Sequence, residues 1–251
     1  RMITAFNYTD FIYRPRRPDE LDTAQGGGVL FSQAAHQIDI LRLLGGGRVK
    51  SIKGMTGTWD EGRPTEGAYS AFLTFENGMV ATAIYSGYAH FDSDELLNWQ
   101  SELGTKKHPE AYWTSRENLR LITQDKTERA AKVAQNYGGS LYQPVNIKEA
   151  TKRSHQHFGN IVVSCKHADI RPLPSEIIIY GDNKRSKIEL PKPTVPRAEV
   201  IDELVSVVVD GHEPLHSGTW ATATLEVCLG ILASATSGDE INMSHQCGLA
   251  P

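Results

Sequence analysis

Two glycine triplets, Gly26-Gly27-Gly28 and Gly45-Gly46-Gly47, enclose one stretch that reads as an amphipathic helix from about Leu30 to Leu44. Glycine ahead of a helix frees the entering chain, and glycine behind it is a strong stop signal. Residues three and four apart share a helical face. Ala34, Ile38 and Leu41 therefore form an apolar stripe, while Ser32, His36, Asp39 and Leu43 form a neighbouring one. The predicted helix is anchored by the first edge and presents His36 on the second. A histidine's ordinary pKa near 6.5 makes both protonation states accessible near neutrality, which suits proton transfer. A histidine on a helix also serves purely structural ends, and this spacing alone does not separate the two roles.

The same glycines do not read as a phosphate loop. A dinucleotide fingerprint needs GxGxxG between a strand and a helix of a βαβ unit. Here the polar run Pro18 to Gln25 precedes the glycines, and no GxGxxG or Walker pattern occurs elsewhere.

Around this helix the chain reads as strands first and helices last. Strand texture covers Met2 to Tyr13, Val49 to Thr58, Ala68 to Phe75 and Met79 to Tyr88, with Asn77-Gly78 as a hairpin signal between the last two. Residues 92–139 turn charged and helical, with Thr114 to Glu117 fitting a capping box and Gly138-Gly139 fitting a helix end. Cations from Lys106 to Lys132 make that segment locally basic, as either a solvated face or an anion-binding surface. Strands return at Ile161 to Ser164, Glu176 to Tyr180 and Lys187 to Leu190. Helices follow at Arg197 to Val209 and Thr219 to Ser237, and a short strand at Glu240 to Met243. This order predicts an α+β domain, a mostly antiparallel open-faced sheet with helices on one face.

With 251 residues, 39% hydrophobic and 22% charged, the chain has the composition of an ordinary globular protein. A net charge of −4 gives no reason to expect nucleic acid or acidic lipid as a partner. No apolar run approaches the roughly 20 residues of a membrane span, and the first residues lack a signal-peptide core. The opening on Arg1, inside a strand pattern, reads as a fragment or a processed product. Three widely spaced cysteines, Cys165, Cys228 and Cys247, give no CxxC pair, so a reducing cytoplasm is expected. Cys228, inside an apolar helix, reads as a small core residue.

One metal alternative stays open on spacing. His155-x-His157 and Cys165-x-His167 would each put two ligands on one strand face, and adjacent strands could then hold zinc.

The segment GGGVLFSQAAHQIDILRLLGGG resembles the GGG-x-L-x-D-x-G-x-H-x-x-D-x-x-x-x-L-x-G signature of the Gfo/Idh/MocA oxidoreductases. The ending PRAEVIDELVSVVVDGHEPLHSGTWATATLEVCLGILASATSGDEINM resembles that family's closing helices and final strand. The phrases DFIYRPRRPDELDTAQGGG and HFGNIVVSCKHADIRP resemble its phthalate 4,5-cis-dihydrodiol dehydrogenase branch. The resemblance covers residues 1–251 as the family's C-terminal domain, with a helical insertion at about 92–139. That domain is of the dihydrodipicolinate-reductase-like, GAPDH-like type.

It implies a substrate-binding and homo-oligomerising half, dimeric or tetrameric through the open sheet, with no resident metal. It also implies an N-terminal Rossmann domain outside these residues that binds NAD or NADP and carries the catalytic lysine of an E-K-P motif. No such motif is present, since Lys192-Pro193 follows Pro191. Matched position by position, the family's acid/base histidine falls on His36 and its second acidic position on Asp39. Its frequent aspartate falls on Ser32, and the intervening glycine on Ala34. The implied reaction is oxidation of a secondary alcohol or cis-dihydrodiol, such as 4,5-dihydro-4,5-dihydroxyphthalate. His36 would take the hydroxyl proton.

A dicarboxylate substrate needs fixed cations. Arg14, Arg16 and Arg17 are the candidates, against the alternative of a solvated basic loop. Tyr8, Asp10 and Tyr13 alternate with core positions along the first strand and are candidate pocket residues. The reading from a different class is a binding or assembly module without redox chemistry.

Overall fold

In the computed structural model, described at residues 1–111, 113–122, 127–144, 152–193, 195 and 197–249, alternation builds the central sheet. Strand β1 (Met2–Tyr8) buries Ile3, Ala5 and Asn7 on one face and turns Met2, Thr4 and Phe6 to the other. It is followed in chain order by β2 (Val49–Gly57), β3 (Ala68–Phe75), β4 (Val80–Ser86), β5 (Asn160–Ser164), β6 (Ala168–Leu173), β7 (Glu176–Gly181), β8 (Arg185–Glu189) and β9 (Ile241–Asn242). They join in one sheet of order β8-β7-β6-β5-β1-β4-β3-β2-β9. β1 and β4 run parallel, in register Ala5 to Ala83, and every other neighbouring pair of described strands is antiparallel.

The helices are α1 (Ala35–Gly45), α2 (Thr114–Arg120), α3 (Glu128–Gln135), α4 (Ala198–Asp210) and α5 (Gly218–Ser237). α1 and α5 pack on one face of the β1-β4-β3-β2 half-sheet and on each other. Ala34, Ile38 and Leu41 are fully buried there with Ala223, Val227, Cys228 and Ile231. Gly54 permits this contact, because a Cβ on it would lie 2.9 Å from the Ile231 side chain. The opposite face is uncovered: Met55 is 74% exposed, Met2 46% and Phe72 45%. The α+β, open-faced fold expected from the sequence is therefore present.

Several details differ. The first strand ends at Tyr8, and Asp10 and Tyr13 lie at a 3-10 turn over Phe11–Tyr13, so neither alternates along a strand. Residues 168–173 form a strand that the sequence did not disclose. Its Asp169, Arg171 and Pro172 resemble loop, and neither of its faces is fully buried, so no alternation is written into it. α2 has no side-chain cap: Thr114 Oγ1 donates to Ala111 O instead of closing a capping box. α3 ends at Gln135, ahead of Gly138-Gly139.

α5 is long and apolar enough by length and composition to cross a membrane, at a mean hydropathy of 1.2, contrary to the expectation that no such run exists. One side of it is packed in the core on β2. Cys165, Cys228 and Cys247 are all free thiols, and burial pushes the Cys228 thiol up to about 12.

Part of the basic segment is tied down internally. Lys107 bridges Asp92 and Asp94 at 2.6 Å each, Lys132 pairs with Glu20, and Arg116 donates to the carbonyls of Tyr88 and Ala89. Lys126, within that segment, lies outside the described residues.

Candidate active site

The first glycine triplet has a strict steric role. Gly28 has φ +88°, and a Cβ there would come within 1.9 Å of Glu66 Oε1. Glu66 is 3% exposed and accepts from the Leu30 amide at 3.3 Å, from Thr65 Oγ1 at 3.1 Å and from Thr23. It thus caps the first helical turn with a negative charge. That turn, Leu30–Ala34, is a π-helix running into α1.

The wider turn breaks the expected stripe between Ser32 and His36. Ser32 Oγ donates to Gly28 O at 2.6 Å, and the residue borders a cavity of about 260 Å³ around the glycine hinge, together with Arg16 and Arg17. Arg17 pairs with Asp19 at 3.0 Å. Arg16 stacks over Phe11 at 3.7 Å and donates to its carbonyl. Burial pulls the Arg16 guanidinium down to about 10, so it stays protonated at neutral pH.

His36 borders a separate cavity of about 350 Å³, which also meets Arg14, Asp39, Glu102, Phe158 and Arg197. Its ring lies 5.4 Å from that of Phe158, tilted by 42°. Phe158 stacks on Tyr85, and Tyr85 on Tyr69, at 5.9 Å and 14° each. Burial raises both phenols far above their usual range, and both are held by hydrogen bonds. Tyr69 donates to Gln37 Oε1 at 2.9 Å, and the Tyr85 hydroxyl meets Thr9 Oγ1 at 3.0 Å. An aromatic ladder thus runs from the core to His36 and fixes the surface on which it rests. The imidazole itself forms no hydrogen bond to any described residue, which leaves both ring nitrogens available to a ligand.

Asp39 shares this cavity but is engaged elsewhere: Oδ1 accepts from the Trp220 indole and from Thr224, and Oδ2 lies 3.6 Å from His216 Nε2. Arg14 sits 3.9 Å from Asp10 and is 44% exposed. Of the residues singled out in the sequence, the structure brings His36, Asp39 and Arg14 together, and places Ser32 and Arg17 at the hinge cavity. Tyr8, Asp10 and Tyr13 lie elsewhere. Tyr8 meets Phe6 and Phe91, Asp10 accepts from the Ser115 amide, and Tyr13 packs on Tyr88 under Arg116.

The imagined zinc set is not on strand faces. His155 and His157 precede β5, and Cys165 and His167 flank the β5–β6 turn. His155 binds Pro191 O, His157 binds Gln100 O and His167 faces Asp182. No group of three or more potential metal ligands occurs among the described residues.

Sequence reasoning missed Gln33, Glu102, His157, Phe158 and Arg197 as cavity residues. Phe158 stood inside a quoted family phrase without a role, and Arg197 is brought in only by tertiary folding.

A histidine with a free ring, set against an aromatic platform and flanked by two arginines, can take a proton from a hydroxyl on an anionic ring compound. Residues 1–105 match the model of the GFO/IDH/MocA C-terminal domain.

Over 232 residues it is 43% identical to the 1-carboxy-3-chloro-3,4-dihydroxycyclohexa-1,5-diene dehydrogenase of Comamonas testosteroni, covering 92% of this chain and 58% of that enzyme. A solved structure from Bordetella bronchiseptica RB50, described as a dehydrogenase, superposes with a TM-score of 0.85 at 38% identity, covering 96% of this chain and 62% of that one. An Agrobacterium radiobacter oxidoreductase, solved with NAD+, L-tartaric acid and magnesium, shares the fold at a TM-score of 0.58 and 14% identity, over 96% of this chain and 56% of that one. The chain thus spans about three fifths of the length of the first two relatives.

Proposed function

We propose that this chain is the substrate-binding and oligomerising part of an NAD(P)-dependent dehydrogenase that oxidises a cis-dihydrodiol bearing one or more ring carboxylates. The observation that carries the reading is the His36 imidazole, without a hydrogen bond to a described residue and tilted against Phe158, with Arg14 and Arg197 on the same cavity. The Comamonas relative, whose name specifies a carboxylated dihydroxycyclohexadiene, supports the substrate class. The finer reading is a phthalate-type dicarboxylate.

A dinucleotide does not fit the described residues, which hold no glycine-rich phosphate turn opening a βαβ unit; β1 and β4 are the only parallel pair described. The nicotinamide, carried by a domain outside these residues, supplies the hydride acceptor. What this chain contributes is separable from that. Phe158 offers an apolar face for the substrate ring, the arginines orient its carboxylate, and a His36 ring nitrogen accepts the carbinol proton. Asp39, committed to Trp220 and Thr224, acts by fixing α1 against α5. Ser32 stands where the family often has a carboxylate, and its bond to Gly28 O leaves proton transfer to His36.

The open sheet face with Met2, Met55 and Phe72 is the surface through which two copies associate. Thr82 Oγ1, on that face, is buried without a hydrogen-bond partner among the described residues.

The test is turnover by the full-length protein, followed by nicotinamide reduction, on dihydrodiols carrying no, one or two ring carboxylates. Oxidation of the carboxylated diols in preference to the neutral one is expected. Absence of oxidation with both NAD and NADP would remove the reading.

A further inference from the structure

The geometry points to a carboxylate-recognition subsite formed by Arg197 and Arg153 in a small cavity that adjoins the His36 cavity. It takes a ring carboxylate remote from the reacting carbinol. This rests on the dehydrogenase reading for its substrate, but not for its binding chemistry.

The small cavity holds about 160 Å³ and shares Leu103, Gln156 and Arg197 with the His36 cavity, so the two adjoin. Arg197 stands at the junction. Its backbone is left-handed at φ +60°, where the residue before a helix is normally extended. Such a conformation in a non-glycine residue costs free energy and tends to persist at binding sites. The Arg197 guanidinium forms no hydrogen bond or ion pair with a described residue. Arg153 lines the same small cavity, and its Nε is buried with no partner among the described residues. Buried donors are nearly always satisfied, so the orphaned Arg153 Nε, beside an exposed Arg197 with no partner among the described residues, marks a place for an acceptor.

The carboxylates nearby do not fill that role. Asp39 is held by Trp220, Glu102 accepts from Asn7 at 2.7 Å, and Glu199 lies 3.2 Å from His155. Two guanidinium groups, one with no acceptor and one with an unpartnered Nε among the described residues, match a planar carboxylate, which accepts bidentate bonds.

The experiment is calorimetric titration of the full-length protein with phthalate and with phthalamide, its uncharged diamide. Wild type is expected to bind phthalate more tightly than phthalamide. Arg197→Gly keeps the left-handed backbone without strain and should lose about 10- to 100-fold in phthalate affinity with phthalamide unchanged. Arg197→Lys should recover part of the loss, and Arg153→Gln should weaken phthalate alone. Unchanged phthalate affinity in Arg197→Gly, equal losses for both ligands, or no phthalate binding by wild type would overturn the subsite. Arginine-dependent phthalate binding by a protein that oxidises no dihydrodiol would leave the subsite standing and remove only the dehydrogenase reading.

Discussion

The indole N–H of Trp220 donates to Oδ1 of Asp39, which ties α1, three residues past His36, to the first turn of α5. Trp220 is 3% exposed, and the fully buried Arg42 lies 3.9 Å from its ring while donating to Trp220 O at 2.9 Å and Thr224 Oγ1 at 2.7 Å. Trp220→Phe keeps most of the packing but removes the indole donor, and should cost about 1–3 kcal/mol. Trp220→Ala should cost about 3–5 kcal/mol. Urea unfolding of both variants checks the order.

Gly28 and Glu66 should behave as one device. Gly28→Ala forces a side chain into the Glu66 carboxylate and strains a left-handed residue, so it should destabilise by more than about 1 kcal/mol. Glu66→Ala strands the Leu30 amide and should cost about 1–3 kcal/mol. Because both changes loosen the same turn, the double variant should lose less than the sum, which a double-mutant cycle by thermal melting measures.

Acid should loosen the tail at residues 244–246. Burial opposes ionisation of Glu226, yet hydrogen bonds from the Gln246 side chain and the Ser244 and His245 amides hold its pKa down to about 2. A carboxyl depressed in the folded state stabilises fully above its unfolded value, about 4.3, and that contribution drains away as pH falls toward about 2. Stability measured from pH 6 down to about pH 2 should therefore fall more steeply in wild type than in Glu226→Gln. Equal slopes would show that this carboxylate does not hold the tail.

Association through the bare sheet face should be sensitive to charge. Met55→Glu with Phe72→Glu places two carboxylates on exposed apolar positions of adjacent strands, and should convert the full-length oligomer to monomer in light scattering without a loss of helix content. An unchanged mass would move the interface elsewhere.

Where a face is buried, the sequence shows it. Ala68–Phe75 coincides with its predicted strand because Ala71, Leu73 and Phe75 alternate into the core, and α1 and α5 are legible because their apolar stripes face one sheet. β6 was illegible because neither of its faces is fully buried. The π-turn at Leu30–Ala34 is equally hidden, since the same apolar residues satisfy an α-helical pattern; only the fold turns Ser32 from His36 toward Gly28 O. His36 and Asp39 could be found by local spacing. Phe158 and Arg197 could not, because nothing local marks them and the fold alone brings them to the same cavity.

His36 carries the central claim. The direct measurement is kcat of the full-length His36→Gln protein on a carboxylated cis-dihydrodiol, alongside calorimetric affinity for a non-reacting ring carboxylate. If His36 accepts the carbinol proton, kcat should fall by roughly 10²–10⁴-fold while carboxylate affinity stays near wild type. Near-normal kcat in that variant would contradict the account.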